Sequence, residues 1–86
     1  MNTILWSRKA QKQVLQLPKE DAVNIHDRVD ILKNFPGSEC GDIKFLKNHQ
    51  YDYRLRVGRY RVMFNYKDGI EVVNIEEVKK RDERTY

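Results

Sequence analysis

Three arginines recur at alternating positions in the segment YDYRLRVGRYRVMFNY, residues 51–66. A two-residue turn at 58–59, with glycine first, is typical of a type II′ hairpin, and it predicts that Arg56 lies directly across from Arg61. Arg54 then lies one step along the same face. Like charges opposite each other destabilise a hairpin, whereas guanidinium groups bind phosphate through paired donors and keep their charge. The pattern predicts a phosphate-binding face, and the alternative is a solvated sheet face.

The charge of the chain is unevenly distributed. The 86 residues carry a formal net charge of +4, and hydrophobic and charged residues make up 40% and 35% of the sequence. Residues 1–43 are neutral, with six basic and six acidic side chains, whereas residues 44–86 contain eleven basic and seven acidic ones. This asymmetry favours a polyanionic or acidic partner.

Length and composition predict one small soluble domain over residues 1–86. No apolar run approaches the roughly 18 residues of a membrane span, and the N-terminal segment lacks the apolar region of a signal peptide. A cytoplasmic location without membrane association is therefore expected. Cys40 is the single cysteine, which excludes an internal disulfide. His26 and His49 lie outside any metal-ligand spacing, so neither a metal nor another cofactor is predicted.

The first half of the chain predicts a strand and two helices. Residues 2–6 are apolar and β-prone, and Ser7 is a typical helix N-cap. Apolar residues recur at helical spacing as far as Pro18, which ends one helix and suits the start of the next. The second helix is predicted to end at Pro36-Gly37. The two apolar stripes consist of Ala10, Val14 and Leu17, and of Ala22, Ile25, Val29 and Leu32.

In the second half the apolar period changes from helical to alternating. Strands are predicted near residues 43–46, 51–57, 60–66 and 70–78. A tight turn at Asp68-Gly69 would place Glu76 across from Arg61. The fold class is therefore α+β in the order β-α-α-β-β-β, with an antiparallel sheet and a two-helix hairpin packed on one face.

Alternation along the central hairpin assigns its side chains to two faces. The face toward the helices is apolar, whereas the opposite face is polar and basic, with Glu76 and Asp52 expected to neutralise part of its charge. The apolar set is Tyr53, Leu55, Val57, Tyr60, Val62 and Phe64, and the opposite set is Asp52, Arg54, Arg56, Arg61, Met63 and Asn65.

The sequence resembles the RelE/ParE superfamily of bacterial toxins over nearly the whole chain. Residues 53–58 (YRLRVG) and 60–64 (YRVMF) match the family form Y-x-[x]-R-x-G-x-Y-R-[VL]-x-[FY]. Residues 78–81 (VKKR) and the terminal Tyr86 resemble its basic ending, and the QLP break between the helices is similar. Resemblance to the RelE-like branch implies a type II toxin neutralised by a cognate antitoxin. It implies a metal-independent endoribonuclease that cleaves mRNA in the A site of the small ribosomal subunit (30S).

The resemblance also implies roles for individual residues. Arg61 corresponds to the arginine that contacts the scissile phosphate, and Arg54 matches a basic residue of the preceding strand. Either Lys80 or Arg81 corresponds to the general acid or phosphate ligand at the end of the last strand. Tyr86 corresponds to a residue that acts as base or stacks on a nucleobase.

Further residues are assigned to RNA contact rather than to the reaction itself. His49 is an alternative base, as histidines are in some relatives. Asp52 departs from the family, because some relatives have a lysine there. The predicted RNA contacts are Arg56, Lys44, Lys47, Lys79, Arg84 and His49.

Two other functions remain open at the level of sequence. ParE-like members of the superfamily inhibit DNA gyrase; that function would make the arginine face dispensable and the two helices decisive. A non-cleaving RNA-binding module is the other alternative. The arginine face and the basic ending favour the ribonuclease.

Overall fold

The computed structural model describes residues 1–37 and 40–80. A strand and two helices precede four further strands, which confirms the α+β class. The bounds are β1 (Thr3–Trp6), α1 (Arg8–Leu15), α2 (Lys19–Asp30), β2 (Asp42–Phe45), β3 (Tyr53–Val57), β4 (Tyr60–Lys67) and β5 (Val72–Lys80). Short 3-10 turns follow α2 at Ile31–Asn34 and β4 at Asp68–Ile70. Among the described residues, no helix is both long and apolar enough to cross a lipid bilayer.

Helix α1 begins at the predicted cap and lies along β5. The Ser7 hydroxyl accepts a hydrogen bond from the Ala10 N–H at 3.0 Å and donates one to the Glu76 carbonyl at 2.9 Å. The Val78 N–H donates to the side-chain oxygen of Gln13 at 2.6 Å. The part of the β5 edge that β1 does not cover would expose unpaired backbone donors and acceptors. Side chains at the start of α1 and within it bind these groups at Glu76 and Val78.

The hydrophobic core lies between the two helices and the sheet. Residues from α1 and α2 pack against alternating positions of β3, β4 and β5, and Cys40 is buried with them, where desolvation raises the pKa of its thiol. The predicted apolar face of the hairpin is confirmed. The fully enclosed side chains include Ile25, Val29 and Leu32 from the helical segment and Leu55, Val62, Phe64, Val73 and Ile75 from the strands.

The sheet has the order β1-β5-β4-β3-β2 and is mixed rather than antiparallel. The strands from β2 to β5 are antiparallel neighbours, as predicted, but β1 pairs in parallel with β5, with Thr3 opposite Val72 and Trp6 opposite Ile75. No tight turn joins these two strands, so turn geometry does not impose an antiparallel direction on them. The prediction of a wholly antiparallel sheet was wrong in this respect.

The β3–β4 hairpin has the predicted register. Val57 pairs with Tyr60 around the two-residue turn, and Arg56 lies opposite Arg61. Gly58 has φ +57°, a value that suits the first central position of a type II′ turn and that glycine adopts without strain.

The pairing of β4 with β5 differs from the prediction. The connection is a four-residue turn in which Glu71 adopts a left-handed conformation, and Lys67 pairs with Val72. A bulge near Met63 and Phe64 shifts the register further. Lys79, rather than Glu76, therefore lies opposite Arg61. The Asp-Gly turn rule predicted a two-residue connection and failed because the connection has four residues. The bulge shifts the register by one more residue, and a bulge has no strong sequence signature.

Two side-chain contacts tie the helical layer to the strands. The Tyr60 hydroxyl donates to the Asp21 carboxylate at 2.7 Å, and this hydrogen bond raises the pKa of Tyr60 above its ordinary value. At the start of the chain, the buried side-chain amide of Asn2 donates to the carbonyls of Leu32 and Phe35 at 3.1 and 2.6 Å. Asn2 thus connects the start of β1 to the 3-10 turn that follows α2.

Replacing Asn2 by alanine should destabilise the fold. Asn2→Ala leaves the Leu32 and Phe35 carbonyls without these donors, and a buried unsatisfied group costs about 1–3 kcal/mol. We expect the free energy of unfolding, measured by urea denaturation, to fall by about 2–4 kcal/mol. Thr3→Ala, at the next and exposed position, is the control and should change it by about 0.5 kcal/mol or less. Equal stability of the two variants would contradict this role of Asn2.

Candidate nucleic-acid interface

The face of the sheet away from the helices carries two rows of side chains that cross β2, β3, β4 and β5. Neighbouring strands lie about 4.8 Å apart, so each row extends over roughly 14 Å. We call these rows together the arginine surface. The first row is Asp42, Arg56, Arg61 and Lys79, and the second is Lys44, Arg54, Met63 and Glu77.

Asp42 lies between two arginines at one end of the arginine surface. A terminal nitrogen of Arg54 donates to Asp42 Oδ1 at 3.3 Å, and Arg56 Nε lies 3.7 Å from Oδ2. The Arg54 side chain is only 13% exposed, compared with 53% for Asp42. One carboxylate therefore faces two guanidinium groups, and this end of the surface retains a net positive charge.

The arginines also carry buried donors that lack acceptors. The Nε atoms of Arg54 and Arg56 are both buried without a hydrogen-bond partner, and a buried unsatisfied donor is costly. Arg56 in addition lies directly across from Arg61, whose other cross-strand neighbour is Lys79. An anion bound among these side chains would relieve the repulsion between the cations.

A second carboxylate lies at the other end of the arginine surface. Glu77 is buried beside β4, with Lys9 Nζ at 3.0 Å from Oε2 and Lys79 Nζ at 3.8 Å from Oε1. The hydrogen bond to Glu77 raises the pKa of Lys9 above its ordinary value. Sequence reasoning missed Lys9, which lies in the first turn of α1, because no local pattern links it to a strand so distant along the chain.

Asp52 and Glu76, which were expected to neutralise part of the charge of the arginines, each form a hydrogen bond with Asn65. The side chain of Asn65 accepts a hydrogen bond from the Asp52 N–H at 2.7 Å and donates one to Glu76 at 3.2 Å. Glu76 does not lie opposite Arg61, because the four-residue connection between β4 and β5 and the bulge both shift the register. Asp42 forms ion pairs with Arg54 and Arg56, and Glu77 forms ion pairs with Lys9 and Lys79.

The predicted site residues do not all meet on this surface. Arg54, Arg56 and Arg61 lie together with Lys44 and Lys79. Lys80 lies opposite Tyr60, a core residue, and so belongs to the helix side of the sheet. Lys47 is exposed in the segment between β2 and β3. Arg81, Arg84 and Tyr86 lie outside the described residues.

His49 has a structural contact of its own. Its Nδ1 accepts a hydrogen bond from the Tyr51 N–H at 3.0 Å, which requires Nδ1 to be unprotonated and leaves Nε2 as the other polar atom of the ring. A group of three or more metal-binding side chains is absent from residues 1–37 and 40–80. The charged side chains of the described face are guanidinium and ammonium groups together with the carboxylates of Asp42 and Glu77.

Comparison with solved structures identifies the fold. An archaeal RelE–RelB complex from Pyrococcus horikoshii matches with a TM-score of 0.80 and 27% identity, over 95% of this chain and 97% of that one. The RelBE2 toxin–antitoxin complex of Mycobacterium tuberculosis matches with a TM-score of 0.77 and 20% identity, over 93% and 98%. The isolated Escherichia coli RelE toxin matches with a TM-score of 0.76 and 17% identity, over 95% and 86%.

These similarities show that the chain has the RelE fold, and they confirm its resemblance to the RelE-like toxin superfamily. No family model and no curated protein sequence matches the chain.

Removing the Asp42 carboxylate should make the stability of the protein depend more strongly on bound anions. Asp42→Asn should lower the free energy of unfolding by about 1–2 kcal/mol, because two partly buried guanidinium groups lose their counter-charge. Millimolar pyrophosphate should then raise the melting temperature, measured by circular dichroism, more in the variant than in the unaltered protein.

The matched control is Asp30→Asn, which breaks an exposed ion pair with Lys33 and should cost about 0.5 kcal/mol or less. If Asp42→Asn behaves like this control in both measurements, Asp42 does not neutralise the arginine surface.

Proposed function

We propose that the chain is the toxin of a type II toxin–antitoxin system and a ribosome-dependent endoribonuclease that cleaves mRNA in the A site. Residues 1–86 would form a single toxin domain that acts in the cytoplasm, where its substrate is found. The observation that carries the proposal is the placement of the guanidinium donors of Arg54, Arg56 and Arg61 together on one face of the sheet, with Lys44 and Lys79 beside them. Such donors are suited to the charged oxygens of a phosphodiester.

The reaction would use the 2′-hydroxyl of the RNA as nucleophile. Its oxygen attacks the adjacent phosphorus while a base takes its proton, the bond to the 5′-oxygen breaks, and an acid protonates that leaving oxygen. The products are a 2′,3′-cyclic phosphate and a 5′-hydroxyl. The protein must align the attack and stabilise the charge of the phosphorane, which permanently charged guanidinium groups can do without a metal.

The described residues take the charge-stabilising part of this reaction. Arg61 is assigned to the scissile phosphate, and Arg54 and Arg56 to the same or a neighbouring phosphate. Lys79 is the lysine of β5 that shares their face, opposite Arg61, and we assign it to phosphate contact. Lys44 extends this contact at the β2 end.

Proton transfer is assigned to other groups, because arginine remains protonated at any relevant pH. Arg81 and Tyr86 keep the roles that the resemblance implies, as phosphate ligand and as base or stacking residue. A tyrosine base has an ordinary pKa of about 10 and needs nearby cations to lower it. His49 is the alternative base; because its Nδ1 accepts the Tyr51 N–H, the neutral ring carries its proton on Nε2, and Nδ1 would have to release that hydrogen bond to accept a proton.

The proposed partners are a cognate antitoxin, the ribosome and mRNA. The Pyrococcus and Mycobacterium structures are complexes of a RelE-type toxin with its antitoxin, which supports an antitoxin partner for this chain. We propose that the antitoxin neutralises the toxin by covering the arginine surface or by displacing the basic residues that follow β5.

Gyrase inhibition is the second candidate, and one observation favours it. Leu15 at the end of α1 is 83% exposed and Val23 in α2 is 47% exposed, so the helical layer offers apolar side chains to a protein partner. A gyrase inhibitor would depend on these helices and not on the arginine surface. A non-cleaving RNA-binding module would need the arginines but no group for proton transfer.

Substitution of Arg61 should relieve toxicity. Expression of the unaltered chain should halt translation and produce mRNA cuts within codons by primer extension. Arg61→Ala should lower the cleavage rate about 100-fold or more, as loss of one donor to a developing oxyanion does, while circular dichroism shows an intact fold. Arg28→Ala, which removes an exposed arginine of α2, is the control and should remain toxic.

Toxicity and gyrase assays give different results for the ribonuclease and for the gyrase inhibitor. Full toxicity of Arg61→Ala, Arg54→Ala and Tyr86→Ala would contradict the ribonuclease. Arrest of DNA supercoiling by purified gyrase, lost in Leu15→Ser or Val23→Ser, would instead establish the gyrase inhibitor.

A further inference from the structure

Glu77 is the one charged residue in the buried class among residues 1–37 and 40–80, with 8% of its surface exposed. Removing a carboxylate from water costs several kcal/mol unless cations and hydrogen bonds compensate. A residue that only completed the sheet at this position could be apolar, like its cross-strand neighbour Met63. The burial of a carboxylate here therefore points to the cations that it holds.

Two lysines share this single carboxylate. Lys9 Nζ lies 3.0 Å from one oxygen of Glu77, and Lys79 Nζ lies 3.8 Å from the other. The group of three side chains thus has a net positive charge. An ammonium has three donors, and the Lys9 side chain is 57% exposed, so Lys9 can keep its contact with Glu77 and still donate to a second anion.

The position of Lys9 is fixed by the attachment of α1 to β5. The Ser7 N–H donates to the Ile75 carbonyl at 2.9 Å, and the Ser7 hydroxyl donates to the Glu76 carbonyl. Gln13, one turn beyond Lys9, accepts the Val78 N–H. Lys9 consequently projects from a helix anchored along the edge of β5, at the end of the second row of the arginine surface.

At each end of the arginine surface, one carboxylate contacts two cations. Asp42 is shared by Arg54 and Arg56, and Glu77 is shared by Lys9 and Lys79, so each carboxylate orients two cations and neutralises one. With Lys9 included, these side chains comprise six cations and two carboxylates, a net charge of +4 for the set. The six cations are Lys9, Lys44, Arg54, Arg56, Arg61 and Lys79.

We propose that Lys9, positioned by Glu77, binds an RNA phosphate and that the RNA-binding surface continues from β5 onto the first turn of α1. The partner is single-stranded RNA, and the phosphate is one beyond those held by the arginines. This inference rests on the proposed function, because it extends the same surface.

The salt dependence of RNA binding tests the inference. Binding of a labelled single-stranded RNA oligonucleotide to the full chain is measured by fluorescence anisotropy at several salt concentrations. Each phosphate contact contributes about 0.7 to the slope of log affinity against log salt concentration on a single strand. Lys9→Gln should lower the slope by about 0.7 and the affinity about fivefold at 0.1 M salt.

Two further variants separate binding from structure. Lys9→Arg keeps the charge and should keep the slope of the unaltered chain. Lys19→Gln makes the same charge change at the exposed start of α2 and should leave both slope and affinity unchanged. A purely structural role of Lys9 would lower the melting temperature of Lys9→Gln without altering the slope of the folded protein.

The outcomes for Lys9 and for the arginines are distinguishable. If Lys9→Gln and Lys19→Gln give the same slope while Arg61→Ala loses affinity, the inference about Lys9 is wrong and the proposed function stands. If the unaltered chain does not bind the oligonucleotide, or if Arg54→Ala and Arg61→Ala bind it as tightly as the unaltered chain, the inference about Lys9 is wrong. The proposed function is judged separately, by the mRNA cuts that primer extension detects with the unaltered chain and with Arg61→Ala.

Discussion

The register of the β3–β4 hairpin couples the core of this protein to its charged face. Leu55 and Val62 are opposite each other and fully buried, and burial of each contributes about 1.5–3 kcal/mol. Because side chains alternate, the same register places Arg56 against Arg61 on the other face. A repulsive cross-strand pair costs roughly 1 kcal/mol or less, so the core determines the register. A slip of one residue would bury the arginines.

The placement of arginines and lysines follows from how deeply each is buried. The arginines occupy the middle strands and are half-buried, whereas Lys44, Lys79 and Lys9 lie at the ends, where they are exposed. A guanidinium keeps its charge in such a setting, but a lysine there would tend to lose its proton. The two carboxylates at opposite corners orient the cations and neutralise only part of their charge. The surface is therefore positively charged before any partner binds.

Local rules predicted much of this fold, and contacts between distant segments account for what they missed. The Ser7 cap, the two helical stripes and the Gly58 turn each depend on a few neighbouring residues, and all were predicted. The direction of β1 and the bulge that pairs Lys79 with Arg61 depend on packing between segments far apart in sequence. For the same reason the arginines could be predicted as a surface, but neither the pairing of Asp42 with Arg54 and Arg56 nor that of Glu77 with Lys9 and Lys79 could be.

In the proposed reaction, charge stabilisation and proton transfer belong to different parts of the chain. Guanidinium groups on a sheet can hold and polarise a phosphate, but they cannot exchange protons with the 2′-hydroxyl or the leaving oxygen at neutral pH. The candidates for proton transfer, His49 and Tyr86, belong to segments before β3 and after β5. The strands would thus supply a fixed electrostatic site, and the flanking segments would supply acid and base.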